Sequence, residues 1–455
     1  MESSSRRYFG TDGIRGLANV FPLTAEFALH IGAVAGELFL EKTPGGTGSP
    51  CVVIGRDPRE SGDFLESAIA AGFASRGIRV YLAGVIPTPA VALWTRELGA
   101  LCGVVISASH NPYYDNGIKF FGPDGYKLDD AVEEELEQRL ELPIVRSGTA
   151  PVGLIVPLPE ARERYVAAVC AGVGDDPTLF AGQRIALDAA NGASFETSRS
   201  ILEILGAEVI SFYDRPDGIN INAHCGCTHP EVIESLVRES GADLGITHDG
   251  DADRMLLCDE DGSVLDGDEI MAVAALAMIA EGTLRKNTLV ATVMSNAGLD
   301  EALVRAGGRV VRAAVGDRHV IAEMRAGNFS FGGEQSGHFI FHDHGTTGDG
   351  IVAAVQVLRL MRRSGERLAD LRRVLTKFPQ AQRKVRVREK RSLEMLDAFG
   401  RVRDIEQTLG GAGRVLVRYS GTEPLLRILI EGRDAQWIED EADALAALVT
   451  AEIGG

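Results

Sequence analysis

The densest concentration of chemistry in the chain is Thr247-His248-Asp249-Gly250-Asp251-Ala252-Asp253-Arg254, where three carboxylates stand at every second position. They follow the apolar run Leu244-Gly245-Ile246, which reads as a strand, so the aspartates fall in a tight turn. Hard oxygen ligands converging like this suit Mg2+, which takes a few carboxylates and keeps positions for water or phosphate. An EF-hand calcium loop is the rival, and Glu260 even stands at its twelfth position. Arg254, however, occupies the sixth, where that loop needs glycine, and Met255-Leu256-Leu257 continues as a strand instead of a helix. The calcium reading fails. A solvated turn is disfavoured too, because aspartates this close repel unless a cation or arginine sits among them.

A second segment is Ile106-Ser107-Ala108-Ser109-His110-Asn111-Pro112. Ser109 lies just past the end of a strand, where open α/β sheets place their ligands. Its neighbour His110 is badly placed for a protease-like triad, since adjacent residues rarely point at each other. A serine that carries and donates a phosphoryl group fits better, provided a metal and cations lie close. Alone, Ser109 reads as a turn residue; beside the aspartate loop the phosphoryl reading prevails.

Three further loops carry binding groups. Arg418-Tyr419-Ser420-Gly421-Thr422-Glu423-Pro424, followed by Arg427, offers backbone amides, hydroxyls and charged forks that can cradle an anion. Gly332-Gly333-Glu334-Gln335-Ser336-Gly337-His338 offers the hydrogen-bonding groups that sugar hydroxyls require, and Gly10-Thr11-Asp12-Gly13-Ile14-Arg15-Gly16 presents one cation among glycines. Each alone is a common glycine-rich turn; five such loops spread along one chain are not. His224-Cys225-Gly226-Cys227-Thr228-His229 invites zinc, but contiguous ligands rarely close a tetrahedron.

These loops must be positioned by regular elements. Cys51–Ile54, Val80–Ala83 and Gly103–Ile106 read as strands, alternating with helical patterns over Phe64–Ser75 and Ala90–Leu98. The rhythm returns in Ile185–Leu187, Glu208–Ile210 and Leu244–Ile246, with helices near Glu196–Leu205 and Glu231–Ser240. It returns again in Leu289–Ala291 and Val310–Val315, with helices near Leu299–Ala306 and His319–Ala326. The spacing therefore predicts three copies of one mostly parallel α/β unit. After about Lys377 the pattern becomes a smaller α+β unit, with strands at Val385–Val387, Val415–Val417 and Leu426–Leu429 and helices over Leu393–Leu409 and Ala435–Ile453.

The bulk composition narrows the class. At 455 residues the chain is long enough for two to four domains, and this pattern favours four. A net charge of −19 argues against nucleic-acid and anionic-membrane partners, though local arginines still suffice for a small phosphorylated substrate. Met1–Ser5 lacks the form of a signal peptide, and the richest apolar stretch, Ile270–Ala280, falls short of a membrane helix. Six scattered cysteines make no disulfide scaffold, so a cytoplasmic protein with reduced thiols is expected.

Together the loops resemble the α-D-phosphohexomutase superfamily, in its order and spacing, over essentially the whole chain. Within it, Tyr8–Gly16, His110–Phe121 and Val293-Met294-Ser295-Asn296 look like the phosphoglucosamine mutase branch, and Gln335 stands where the phosphomannomutase/phosphoglucomutase branch usually has methionine. Two residues depart from the pattern: His319 where tyrosine is common, and Cys227 where a small hydroxyl residue is usual.

The resemblance implies four domains around a central cleft. Three are related α/β units with mixed sheets at 1–156, 157–262 and 263–376, and a smaller α+β domain covers 377–455. It implies interconversion of glucosamine 6-phosphate and glucosamine 1-phosphate through phosphorylated Ser109 and a 1,6-bisphosphate, feeding UDP-N-acetylglucosamine synthesis. A phosphomannomutase or phosphoglucomutase is the alternative. By resemblance, Asp249, Asp251, Asp253 and Ser109 hold one Mg2+, while Arg15, Lys119 and Arg254 surround the reacting phosphoryl group. Lys119 or His338 moves the hydroxyl proton, Glu334 and Ser336 bind the sugar, and Arg418, Ser420, Gly421, Thr422 and Arg427 hold the other phosphate. Glucosamine 1,6-bisphosphate or glucose 1,6-bisphosphate is the expected activator. An amino sugar phosphate is the expected partner, and a homodimer is the assembly to look for.

Overall fold

The apolar runs fold as the strands of three successive α/β sheets. In the computed structural model, which describes residues 7–10, 12–43, 49–143, 152–420 and 423–455, the first sheet sets Gly103–Ile106 beside Cys51–Arg56 and that beside Arg79–Val85, all parallel. Asp115–Phe121 then joins antiparallel to Gly103–Ile106, and Ile14–Leu17 antiparallel to it. The second sheet repeats the plan: Leu244–His248, Arg184–Asp188 and Glu208–Phe212 are parallel, and Met255–Cys258 is added antiparallel to Leu244–His248. The third places Phe331–Gly333, Thr288–Thr292 and Arg309–Ala313 parallel, with Phe339–Phe341 antiparallel to Phe331–Gly333.

This shared order has a direct consequence for chemistry. In each sheet the last of the three parallel strands just named turns back into an antiparallel one, and that turn carries one of the expected loops. Ser109 lies between Gly103–Ile106 and Asp115–Phe121, the aspartates between Leu244–His248 and Met255–Cys258, and Glu334–His338 between Phe331–Gly333 and Phe339–Phe341. The central parallel strands are buried on both faces, as Val52, Val53 and Ile54 show, which explains why they read as unbroken apolar runs. Of the antiparallel strands that follow them, Met255–Cys258 carried the same apolar signal and Asp115–Phe121 did not.

Two compact units emerge: residues 1–294 with 308–373, and residues 295–307 with 374–455. In the second, Gln380–Arg386, Leu425–Gly432 and Gly413–Tyr419 form an antiparallel sheet. The helix Ala435–Ile453 buries Ile438, Ala442, Leu445, Val449 and Ile453 at helical spacing, against a core that includes Val385, Leu426, Ile428 and Ile430. The single helix expected over Leu393–Leu409 is broken. A short turn at Leu393–Met395 is followed by extended backbone at Leu396, whose side chain enters the core, and the helix proper begins at Ala398. No helix among the described residues is long and apolar enough to cross a membrane.

Candidate active site

Ser109 sits in a backbone conformation that side-chain-bearing residues avoid, with φ at +51°. What holds it there is a buried cation. The Arg59 guanidinium donates to the carbonyls of Ser109 (3.0 Å), Asn111 (2.8 Å), Asp115 (3.1 Å) and Pro112. Its Nε pairs with Asp57 at 2.9 Å, and both residues are 0% exposed. Asp57 also accepts from the Ser107 hydroxyl at 2.6 Å, and that hydroxyl accepts from the Ser109 N–H at 2.8 Å. From the second sheet's unit, the Asn222 amide donates to the carbonyls of Ser109 (2.9 Å) and Asn111 (3.1 Å). Arg59→Met removes the hub and leaves Asp57 charged and unpaired in the core. It is expected to cost about 3–5 kcal/mol, measured as a lower urea midpoint. A loss below about 1 kcal/mol would show that the clamp is dispensable.

The aspartate turn meets this loop directly. The Ser109 hydroxyl donates to Asp249 Oδ2 at 2.6 Å. Gly250 lets the two turns close, since a Cβ there would lie 2.6 Å from the Ser109 carbonyl oxygen and 2.8 Å from Asn222 Nδ2. Asp249, Asp251 and Asp253 are buried and each offers an oxygen within 4.8 Å of the others. Asp251 Oδ1 and Asp253 Oδ1 have no hydrogen-bond partner, although both are shut off from water. Burial, then the charges of Asp253 and Asp251, push the Asp249 carboxyl well above its ordinary range. Burial would raise Asp251 as well, but Lys119 and the Thr88 hydroxyl bring it below that range. Orphaned, mutually repelling carboxylate oxygens of this kind fit a hard divalent cation.

Cations surround the triad. Lys119 Nζ lies 2.8 Å from Asp251, 2.9 Å from Asp12 and 3.8 Å from Asp253. Arg15 pairs with Asp12 and keeps a buried Nε without a hydrogen bond. Arg254 Nε stands 4.0 Å from Asp249 and 3.9 Å from Asp253. Arg254 also forms a backbone bridge with His338, so the loop expected to bind sugar is joined to the aspartate turn. The His338 ring lies 3.8 Å from Asp253 and 3.4 Å from Asp317. Glu334 accepts from the Gly316 N–H at 3.0 Å, and Ser336 is exposed at the tip of its turn. His110 Nδ1 is 3.4 Å from the Ser109 hydroxyl, and burial followed by Arg254 and Arg15 pushes that imidazole down to about 4. The first unit thus brings Ser109, the three aspartates, Arg15, Lys119, Arg254 and His338 into one buried cluster.

The segment expected to cradle an anion belongs to the second unit. Arg418 stands opposite Arg427 in the strand register, and Arg427 opposite Lys384, so three cations form a row on one face of the sheet. Like charges set side by side in this way repel, unless an anion lies over them. Burial, then Arg427, lowers the Arg418 guanidinium below its ordinary value. Ser420 is buried, its carbonyl accepts from Lys390 at 2.7 Å, and Arg427 pairs with Glu423 at 2.9 Å. Gly421 and Thr422 lie outside the described residues.

Several members of these clusters went unread in the sequence. Asp12 stood inside a loop valued only for Arg15, and Asp57 and Arg59 fell just beyond the strand read at Cys51–Ile54 with no role assigned. Asn222, Lys127, Asp317 and Lys384 carried no local signal, because their partners lie far away in the chain.

The chain matches four profiles described as phosphoglucomutase/phosphomannomutase: domain I over residues 6–142, domain II over 163–262, domain III over 266–378 and the C-terminal domain over 383–448. It is 49% identical over 454 residues to a phosphoglucosamine mutase of Geobacter sp. (strain M21), covering 99% of each chain. A phosphoglucosamine mutase of Anaeromyxobacter sp. (strain Fw109-5) is 48% identical over 450 residues, covering 97% of this chain and 95% of that one. Among solved structures, the chain is similar to a phosphoglucomutase/phosphomannomutase family protein from Burkholderia thailandensis, with TM-score 0.79, 22% identity and 97% of each chain covered. It is also similar to Aspergillus fumigatus N-acetylphosphoglucosamine mutase in complex with GlcNAc-6P and magnesium, with TM-score 0.68, 18% identity and coverage of 97% and 96%. At such identities the structural likeness bears on the fold alone. With nearly full-length relatives at this identity and four domain profiles in order, the chain belongs to the phosphoglucomutase/phosphomannomutase family, on its phosphoglucosamine mutase branch.

Proposed function

We propose that this chain interconverts glucosamine 6-phosphate and glucosamine 1-phosphate through a phosphorylated Ser109. The observation that carries the mechanism is the Ser109 hydroxyl, 2.6 Å from Asp249 and beside two buried carboxylate oxygens that make no hydrogen bond. In the first half-reaction the bond from phosphorus to Ser109 Oγ breaks, a bond to sugar O1 forms, and the O1 proton passes to the protein. The resulting 1,6-bisphosphate reorients, and its 6-phosphoryl group returns to Ser109 as O6 takes a proton.

The chain's own residues work by placement and charge, which is what phosphoryl transfer asks of a protein. Arg15, Lys119 and Arg254 face the charge that builds on the phosphoryl oxygens, and Lys119 or His338 moves the hydroxyl proton. Glu334 and Ser336 bind sugar hydroxyls, which lets either end of the sugar present itself to Ser109. Arg418, Ser420, Gly421, Thr422 and Arg427 hold the phosphate that is not reacting. Asp249, Asp251, Asp253 and the phosphorylated Ser109 would hold Mg2+, which supplies charge neutralisation when bound.

Glucosamine 1,6-bisphosphate or glucose 1,6-bisphosphate would prime Ser109. A cytoplasmic homodimer with domains at 1–156, 157–262, 263–376 and 377–455, feeding UDP-N-acetylglucosamine synthesis, completes the reading. Turnover of glucosamine 6-phosphate against glucose and mannose phosphates, with Mg2+ and a trace of bisphosphate, tests it. A preference of at least about tenfold in kcat/KM for the amino sugar is expected. Preference for glucose or mannose phosphate would move the chain to the phosphomannomutase/phosphoglucomutase activity and leave the mechanism standing.

A further inference from the structure

Lys127 stands between two carboxylates drawn from distant parts of the first unit. Its ammonium lies 2.6 Å from Asp12 and 2.6 Å from Asp317. Asp12 turns its other oxygen to the reacting cluster, whereas Asp317 meets both Lys127 and His338 with the same Oδ2. Asp12 reaches Lys119 at 2.9 Å and also pairs with Arg15, while Asp317 lies 3.4 Å from His338 Nε2. Lys119 in turn meets Asp251 at 2.8 Å. The result is a file of alternating charge, Asp251–Lys119–Asp12–Lys127–Asp317, that ends 3.4 Å from the His338 imidazole, with all six side chains at least four-fifths buried.

We propose that Lys127 is a positioning residue for phosphoryl transfer, fixing Lys119 and His338 relative to one another through Asp12 and Asp317. The inference rests on the mutase reading above. Lys127 ends the loop that follows Asp115–Phe121, the strand bearing Lys119, and it forms a backbone bridge with Phe121. Asp317 opens the helix Asp317–Gly327, and the preceding Gly316 N–H holds Glu334. One ammonium therefore ties the strand of Lys119 to the turn that steadies both Glu334 and His338. Burial weakens the hold of Lys127 on its proton, but Asp12 and Asp317 outweigh it and keep the ammonium charged. Without that charge, Asp12 and Asp317 would repel across a buried gap and carry their partners with them.

A misplacement of about 1 Å in a site of this kind costs about 100-fold in rate. The test uses the full chain with Mg2+ and glucose 1,6-bisphosphate, comparing wild type, Lys127→Met and Lys127→Arg on glucosamine 6-phosphate. Lys127→Met is expected to lose about 100-fold in kcat with KM within about threefold, while mass spectrometry still finds phosphate on Ser109. Lys127→Arg, which can span both carboxylates, is expected to recover at least about tenfold of that loss. A Lys127→Met protein with kcat within about threefold of wild type overturns the proposal, as does a fall in kcat that arginine leaves unrelieved. If Lys127→Met does not fold, Asp317→Asn decides. A loss of at least about tenfold in kcat at steady KM supports the proposal, and a smaller one overturns it. Wild type that turns over no hexose phosphate sinks the mutase reading and this inference with it, whereas active wild type beside unaffected variants sinks this inference alone.

Discussion

Ser109→Ala protein is expected to fold normally and to lose at least about 10,000-fold in turnover, some 5 kcal/mol of transition-state stabilisation. The two halves of that expectation come from different atoms. The contacts by which Ser109 itself holds its loop run through its backbone, from its N–H to Ser107 and to its carbonyl from Arg59 and Asn222. Alanine keeps all of them. Only Oγ is lost, and with it the atom to which phosphorus would be bonded. Urea unfolding should therefore differ by less than about 1 kcal/mol, while intact mass shows no phosphoryl group and the coupled assay falls to background. Ordinary turnover by the alanine protein would end the phosphoserine route.

The second large effect concerns the aspartates. Chelation of divalent ions is expected to abolish turnover, and added Mg2+ to restore it. Asp253→Asn, which preserves shape and removes one charge from the triad, should lower kcat/KM by about 100- to 1,000-fold and raise the Mg2+ concentration for half-activation at least about tenfold. A readout independent of activity is available, because a cation that binds only the folded triad must raise the melting temperature as its concentration rises. Wild type should show that rise and Asp253→Asn a much smaller one, since the orphaned Asp253 Oδ1 is one of the oxygens a cation would satisfy. Full activity in excess chelator would remove the metal from the mechanism.

How much of this could be read in advance depended on where partners lie along the chain. Ser109 and the aspartate turn were legible because each is a short contiguous segment at the end of an apolar strand. The three repeated α/β units were legible for the same reason, their parallel strands being unbroken apolar runs. The antiparallel strand Asp115–Phe121 was not, since Lys119 and Asn116 interrupt its apolar residues. Likewise the helix expected over Leu393–Leu409 has helical spacing throughout, yet burial of Leu396 in the core breaks it. Arg59 and Lys127 show the deeper limit. An arginine that binds four carbonyls more than forty positions away, or a lysine paired with a carboxylate 190 positions on, leaves no mark on its neighbours in sequence.

The 140 positions between Ser109 and Asp249 also order events during synthesis. A chain emerging from the ribosome at roughly 5–20 residues per second exposes the serine loop some 7–28 seconds before the carboxylate that accepts its hydroxyl. The first sheet, with Arg59 already in place, can complete its own core in that interval, but no acidic triad yet stands beside Ser109. On the proposed mechanism, a nascent chain that ends before Asp249 holds the serine loop without the carboxylates that would act on it, and reactivity waits for the later loops as well.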